Sequence, residues 1–268
     1  MHTLSSRLPS LTRHRALPPA ASQAFAGSLS RLYALSQQSQ HVFGSPLGPF
    51  FYRGRQHSLP RFVYFGPQTH DDSLRLAFLA GFDARDLRTS LSLLHVVQRV
   101  VEVPQLGQGL NLSFFPLVDV LGLDGSTNAR GLSEQSWDER AAPELALLQQ
   151  DARLRGYHGF VRVEETDSEA ITVRLRHEAG LALPASGVEL IASDDFGRWP
   201  VRFEADHPGA VAGDGPLSLS DDLPLAPFEL TLKMPDSWTQ EEQQDALSFA
   251  LHQFILRHRA HHAYGLHL

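Results

Sequence analysis

From residue 61 onward the chain alternates short apolar runs with longer helix-like ones, and that alternation restricts the fold more than any other feature. Arg61 to Phe65, Asn111 to Val118, Gly159 to Glu164 and Phe228 to Lys233 read as strands. Between them the pattern predicts a helix carrying Leu74, Ala77, Phe78 and Ala80, capped by Asp71 or Asp72. Further helices are expected over Asp86 to Val97 and over Pro143 to Leu154. Thr239 to His258 reads as a long amphipathic helix, with Leu247, Ala250, Leu251, Phe254 and Ile255 at helical spacing. Strands alternating with helices predict an α/β fold with a mostly parallel mixed sheet between helical layers, a three-layer αβα arrangement. Functional groups in such sheets gather at the carboxyl ends of the strands.

The first sixty residues read differently. Residues 1–25, with Pro9, Pro18 and Pro19, form an irregular lead-in, and Ser22 to Gln38 has helical composition with Ser22 as its cap. Phe43-Gly44-Ser45-Pro46-Leu47-Gly48-Pro49, followed by Phe50-Phe51-Tyr52, reads as a turn between two short strands. This divides the chain into a basic lead-in and hairpin, 1–58, and an α/β domain, 59–268. Residues 205–227, rich in Gly, Pro and Asp, read as an exposed loop.

Composition narrows the function classes. A chain of 268 residues with 42% hydrophobic content can bury a sizeable core. No apolar run approaches the ~20 residues of a membrane span, so no membrane partner is expected. Cysteine is absent, which removes disulfides and thiolate chemistry and fits a reducing compartment. The net charge of −7 hides an asymmetry: residues 1–70 hold seven arginines and no acid, while all thirty acids follow. A basic arm of this kind is expected to pack on the acidic body of its own chain, which makes nucleic acid an unlikely partner. The acid-free start is similar to a transit peptide in composition, but it has neither a clean amphipathic repeat nor a signal-type apolar core, so a cytoplasmic location is expected.

Five segments carry candidate chemistry: Gly66-Pro67-Gln68-Thr69-His70-Asp71-Asp72-Ser73-Leu74, the run Leu112 to Gly122, the run Ser126 to Trp137, Gly159 to Glu165, and Phe228 to Pro235 with the only lysine of the chain, Lys233. Together they resemble the zinc carboxypeptidases and their relatives succinylglutamate desuccinylase and aspartoacylase. The resemblance implies the zinc carboxypeptidase-type sheet, and it likens the Phe43–Tyr52 region to the small hairpin that precedes the catalytic domain in bacterial members.

It also implies where the chemistry should lie. The family's His-x-x-Glu metal motif, placed where a strand ends and a helix begins, is matched with His70 in the histidine position and Ser73 in the glutamate position; Asp72 lies one residue away. In the loop that holds the substrate carboxylate, Asn128 stands where an arginine is expected and Gln135-Ser136 where Asn-Arg is expected, leaving Arg130 as an anion candidate. The third metal ligand, a strand histidine, is matched by Val163, next to Glu164. The glutamate that activates the metal-bound water is matched by Lys233. A protonated ammonium accepts no proton from water, and valine and serine are poor zinc ligands.

Three readings follow. The first is a degenerate member, a pseudoenzyme binding an unknown small molecule or protein partner, with no catalytic residue, no metal and no cofactor; His70 is its only weak metal candidate. The second is an active zinc-dependent carboxypeptidase or N-acyl amino acid amidohydrolase whose metal is held by shifted ligands such as His70, Asp72 and Glu164. The third is a metal-free enzyme using Lys233 as nucleophile or base. Under the first, Lys233 is expected inside the old metal region, paired with Asp71, Asp72, Glu164 or Glu165. The histidines near the C-terminus (His252, His258, His261, His262 and His267) read as a solvated helix end, and Asp221-Asp222 as solvated acids.

Overall fold

The computed structural model describes residues 19–71, 73–125, 132, 142–177, 196–204 and 228–265. Its centre is four parallel strands: β6 (Leu110–Phe115), β5 (Leu74–Leu79), β7 (Gly159–Thr166) and β10 (Phe228–Pro235), in that spatial order. One flank is extended by the antiparallel strands β4 (Phe62–Phe65) and β1 (Val42–Gly44). The other flank holds β8 (Ile171–His177), antiparallel to β10, and β9 (Val201–Phe203), parallel to β8. Among the described residues the result is an eight-stranded, mostly parallel mixed sheet.

Helices cover both faces because the central strands are apolar on both. On one face α1 (Pro19–Ser36), α2 (Arg88–Glu102) and α5 (Gln240–Gly265) close a core around Phe78, Phe114, Val161, Val163, Leu230, Leu232 and Phe254. On the other, α4 (Pro143–Arg155) covers Ala77, Leu79, Phe115 and Phe160, with Leu59 packed beside it. A short turn of helix, α3 (Val120–Leu123), follows β6. The arrangement is the expected α/β three-layer one.

Three expectations are corrected. The run Leu74 to Ala80 is not a helix but β5, the strand between β6 and β7, so neither Asp71 nor Asp72 caps a helix there; Asp72 lies outside the described residues. A strand buried on both faces shows an unbroken apolar run, and such a run also satisfies a helical template. The hairpin is formed by β2 (Leu47–Tyr52) and β3 (Arg55–Leu59), turning at Arg53-Gly54 where both residues take positive φ. Phe43 and Gly44 belong instead to β1, an edge strand of the main sheet. Ser22 lies within α1 and not at its cap.

Two close approaches fix the sheet. Gly66 follows β4, and a Cβ there would meet the Gly107 carbonyl oxygen at 1.8 Å, so only glycine lets this turn lie against the 3-10 turn Pro104–Gly107. The second is a buried ion pair. Arg61 donates to Asp151 of α4 and through Nε to the Ser45 carbonyl oxygen at 2.7 Å, while Tyr157 donates to the other Asp151 oxygen at 2.7 Å. This cluster ties the β1–β2 connection, β4, α4 and the approach to β7 together.

Replacing Asp151 with alanine strands the buried Arg61 and Tyr157 donors. Asp151→Ala is expected to cost on the order of 3 kcal/mol in urea unfolding at neutral pH. A change below ~1 kcal/mol would contradict the role assigned to the cluster.

Candidate functional site

The carboxyl ends of β5, β7 and β10 open into a cleft of about 600 Å³. The connection from β5 to α2, residues 80–87, forms one wall. Gly81 has φ +66, and a Cβ on it would meet Ser90 Oγ at 2.5 Å, so the chain turns sharply there. Asp119, at the N-terminus of α3, holds the turn: its Oδ2 accepts the Ala84 N–H at 3.1 Å and its own N–H donates to the Gly81 carbonyl at 2.8 Å. Burial pushes the Asp119 carboxyl up, opposed by the N–H donors of Ala84 and Gly122.

At the floor sits Arg162. The β7–β10 register pairs Arg162 with Thr231, Phe160 with Glu229 and Glu164 with Lys233, so these side chains share one face of the sheet. Arg162 is 7% exposed and Glu229 3% exposed. The guanidinium donates to Glu229 at 3.1 Å and to Glu164 at 2.6 Å, and its carbon lies 4.4 Å from the centre of the Phe82 ring. Desolvating this charge is tolerable because two carboxylates and a π face surround it.

A second group of charges lines the opposite side. Asp86 accepts the Arg88 N–H at 3.0 Å and the Thr89 hydroxyl at 3.3 Å, and it hydrogen-bonds Glu165. Arg88 lies 3.5 Å from Glu165, and Gln243 of α5 donates to Glu165 at 3.4 Å. Burial, and then the charge of Glu165, push the Asp86 carboxyl up to about 7. Asp86 in its protonated form can therefore donate this proton to Glu165. Asp83 is held bidentate by Arg85, whose side chain lowers its carboxyl against the opposing effect of burial.

The residues singled out in the sequence divide between the two ends of the sheet. Glu164, Val163 and Lys233 lie at the cleft. Val163, 1% exposed, turns its side chain into the apolar core beneath α2 and α5, and its neighbour Arg162 faces the cleft. Lys233 is 3.7 Å from Glu204, with 26% of its side chain exposed. Its cross-strand neighbour Glu164 is already engaged by Arg162, which corrects the expected pairing of Lys233 with Asp71, Glu164 or Glu165.

His70, Asp71 and Ser73 precede β5 and so lie at the opposite, amino end of the parallel strands, roughly 20 Å away at ~3.3 Å per residue. There His70 and Ser73 close a turn, the His70 N–H donating to Ser73 Oγ at 2.7 Å and the Ser73 N–H to the His70 carbonyl at 3.0 Å. The strand-to-helix junction expected at His70–Ser73 is instead residues 80–87. Asn128 and Arg130 lie outside the described residues, as do Asp221, Asp222 and the side chains of the histidines after His252.

Phe82, Asp83, Asp86, Arg162 and Glu229 were not singled out in the sequence as site residues. A signal existed for two of them: Arg162 and Glu229 are charges inside otherwise apolar strands, and a charge placed there is either paired or functional.

The proton on Asp86 has a measurable consequence. An acid with a folded pKa above its unfolded value of 3.8 binds more protons when folded, so its contribution to stability falls as pH rises toward about 7. Asp86→Asn keeps the acceptor and supplies a permanent donor to Glu165. The variant should melt above the wild-type protein at about pH 8, with the difference closing toward about pH 4. A variant less stable than wild type at the higher pH would contradict the proton assigned to Asp86.

No protein-family model matches the chain, and no curated protein matches it. Solved structures do. An inferred metallopeptidase from Shewanella denitrificans OS217 superposes with a TM-score of 0.60 at 16% identity, over 92% of this chain and 98% of that one. A metallo-carboxypeptidase from Burkholderia cenocepacia gives a TM-score of 0.63 at 16% identity, over 88% of this chain and 68% of that one. A metallo-carboxypeptidase from Pseudomonas aeruginosa, solved in complex with (2-guanidinoethylmercapto)succinic acid, gives 0.61 at 16% identity, over 85% and 67%. Sheet order, helical layers and these superpositions agree: the chain has the fold of the zinc carboxypeptidases.

Proposed function

We propose that this chain retains the carboxypeptidase scaffold and uses the cleft at the carboxyl ends of β5, β7 and β10 to bind a ligand or partner without hydrolysing it. The observation that carries this reading is the Arg162 guanidinium, ion-paired to Glu164 and Glu229 at the floor of the cleft. Zinc sites draw on histidine or cysteine together with carboxylates. Among the described residues no histidine or cysteine lines the cleft. Four of its acids are engaged elsewhere: Glu164 with Arg162, Asp83 with Arg85, Asp86 with the N-terminal turn of α2, and Glu165 with Arg88 and Gln243, while Asp167 lies exposed at the edge. A permanent guanidinium among these acids repels a divalent cation. Among the described residues the donor set does not fit zinc.

The other two readings draw less support. Shifted ligands that include His70 and Glu164 would have to converge from opposite ends of the strands. A nucleophilic lysine needs desolvation, whereas Lys233 stays partly exposed beside Glu204.

The purified full-length chain, dialysed after incubation with excess zinc, should retain well under about one zinc per chain. It should release no product from peptides with a free carboxyl terminus or from N-acyl amino acids. Stoichiometric zinc together with zinc-dependent turnover would overturn the proposal.

A further inference from the structure

A second cavity lies away from the cleft, on the helical layer that covers the other face of the sheet. It is bounded by the C-terminal half of α2, the middle of α5 and the segment 196–199, and its volume is about 640 Å³. Ligand pockets for small molecules span roughly 300–1,000 Å³. Helix α2 touches both sites: Thr89 lines the cleft, while His95, Val96, Arg99 and Val100 line this cavity. Ten residues of helix between Thr89 and Arg99 put them about 15 Å apart.

The walls are largely apolar, and four of the polar side chains on them are unengaged. Val96, Val100, Leu251 and Ile255 form the inner surface, and Phe196 and Trp199 close one end. Gly197, at φ +58, brings the chain against Phe249; a Cβ there would sit 3.2 Å from its ring. Trp199 packs on Trp238 with centroids 4.9 Å apart, so this end is braced from behind.

Among the described residues the side chains of His95, Arg99, Ser248 and His252 make no hydrogen bond or ion pair, and all four line the cavity. The Ser248 oxygen is buried. A helical serine can back-bond to its own helix, and a buried hydroxyl left without a partner is rare. Arg198 sits over the Trp199 ring at 4.7 Å, with Glu242 in its electrostatic neighbourhood. The one acid in the lining is Asp245.

We propose that this cavity binds a small molecule with an apolar body and a single carboxylate. The apolar body fills the space between α2 and α5, the carboxylate meets Arg99 at the rim, and the Ser248 hydroxyl donates to one of its oxygens. The charge pattern selects the sign of the ligand, since the permanent cations Arg99 and Arg198 outnumber Asp245.

Isothermal titration of the full-length chain with decanoate, and with decyltrimethylammonium as a cation of equal chain length, tests this. Decanoate should bind at one site and at least about tenfold more tightly than the ammonium compound. Arg99 is exposed, so Arg99→Ala should leave the melting midpoint unchanged and weaken decanoate about tenfold. Ser248→Trp fills the cavity and should abolish binding; if that variant fails to fold, Arg99→Ala alone decides. No decanoate binding at millimolar concentration, equal binding of the two amphiphiles, or an Arg99→Ala variant that binds decanoate as wild type does would each overturn the proposal.

Discussion

A guanidinium in the interior of a sheet must be neutralised where it sits, and in this protein that requirement organises the candidate site. Arg162 is carried on a strand whose neighbours are apolar, so its charge meets only what the adjacent strands and the loop after β5 supply. The parallel register brings Glu229 and Glu164 onto the same face of the sheet, and the turn at Gly81 lays the Phe82 ring over the guanidinium. With Glu229 nearly inaccessible, the pair is part of the core as much as part of the cleft. The floor of the cleft is thereby an ion-pair network of Arg162 with Glu229 and Glu164.

The second constraint runs through the N-terminus of α2. Arg88 donates to the Asp236 carbonyl at 2.6 Å and also reaches the Trp238 carbonyl, while Gln240 donates back to the Arg88 carbonyl at 3.1 Å. Thr239 and Glu242 close the first turn of α5 through reciprocal bonds, the N–H of Thr239 donating to Glu242 at 2.7 Å. The β10–α5 turn is thereby locked to the same helix end that carries Asp86 and Thr89. Changes in the protonation of the Asp86–Glu165 pair consequently act on the junction of three elements, through Arg88 and Gln243.

Much of the fold was legible in the sequence because strands β4, β6, β7 and β10 and helices α2, α4 and α5 carry unambiguous apolar patterns. Strand β5 was not, since Leu74-Arg75-Leu76-Ala77-Phe78-Leu79 satisfies both templates and only its place between two parallel neighbours decides. That single ambiguity displaced the site. Once β5 is a strand, the strand-to-helix junction moves from His70–Ser73 to residues 80–87, at the other end of the sheet. Strand β8 alternates Ile171, Val173 and Leu175 with Thr172, Arg174 and Arg176, a period-2 pattern that the sequence did contain. Strand β9, three residues long, leaves too little pattern to read. Val163 and Lys233 were correctly placed on their strands, but which face each side chain takes follows from the register, and the register is a tertiary property.

The most direct test of the central claim is a double-mutant cycle on the Arg162–Glu229 pair, read by urea unfolding. If the ion pair is the floor of the cleft, Arg162→Met and Glu229→Gln should each cost on the order of 3 kcal/mol, and the double variant should cost no more than either single change, because removing both charges leaves neither one buried alone. Single costs that simply add in the double variant, to within ~0.5 kcal/mol, would contradict the account.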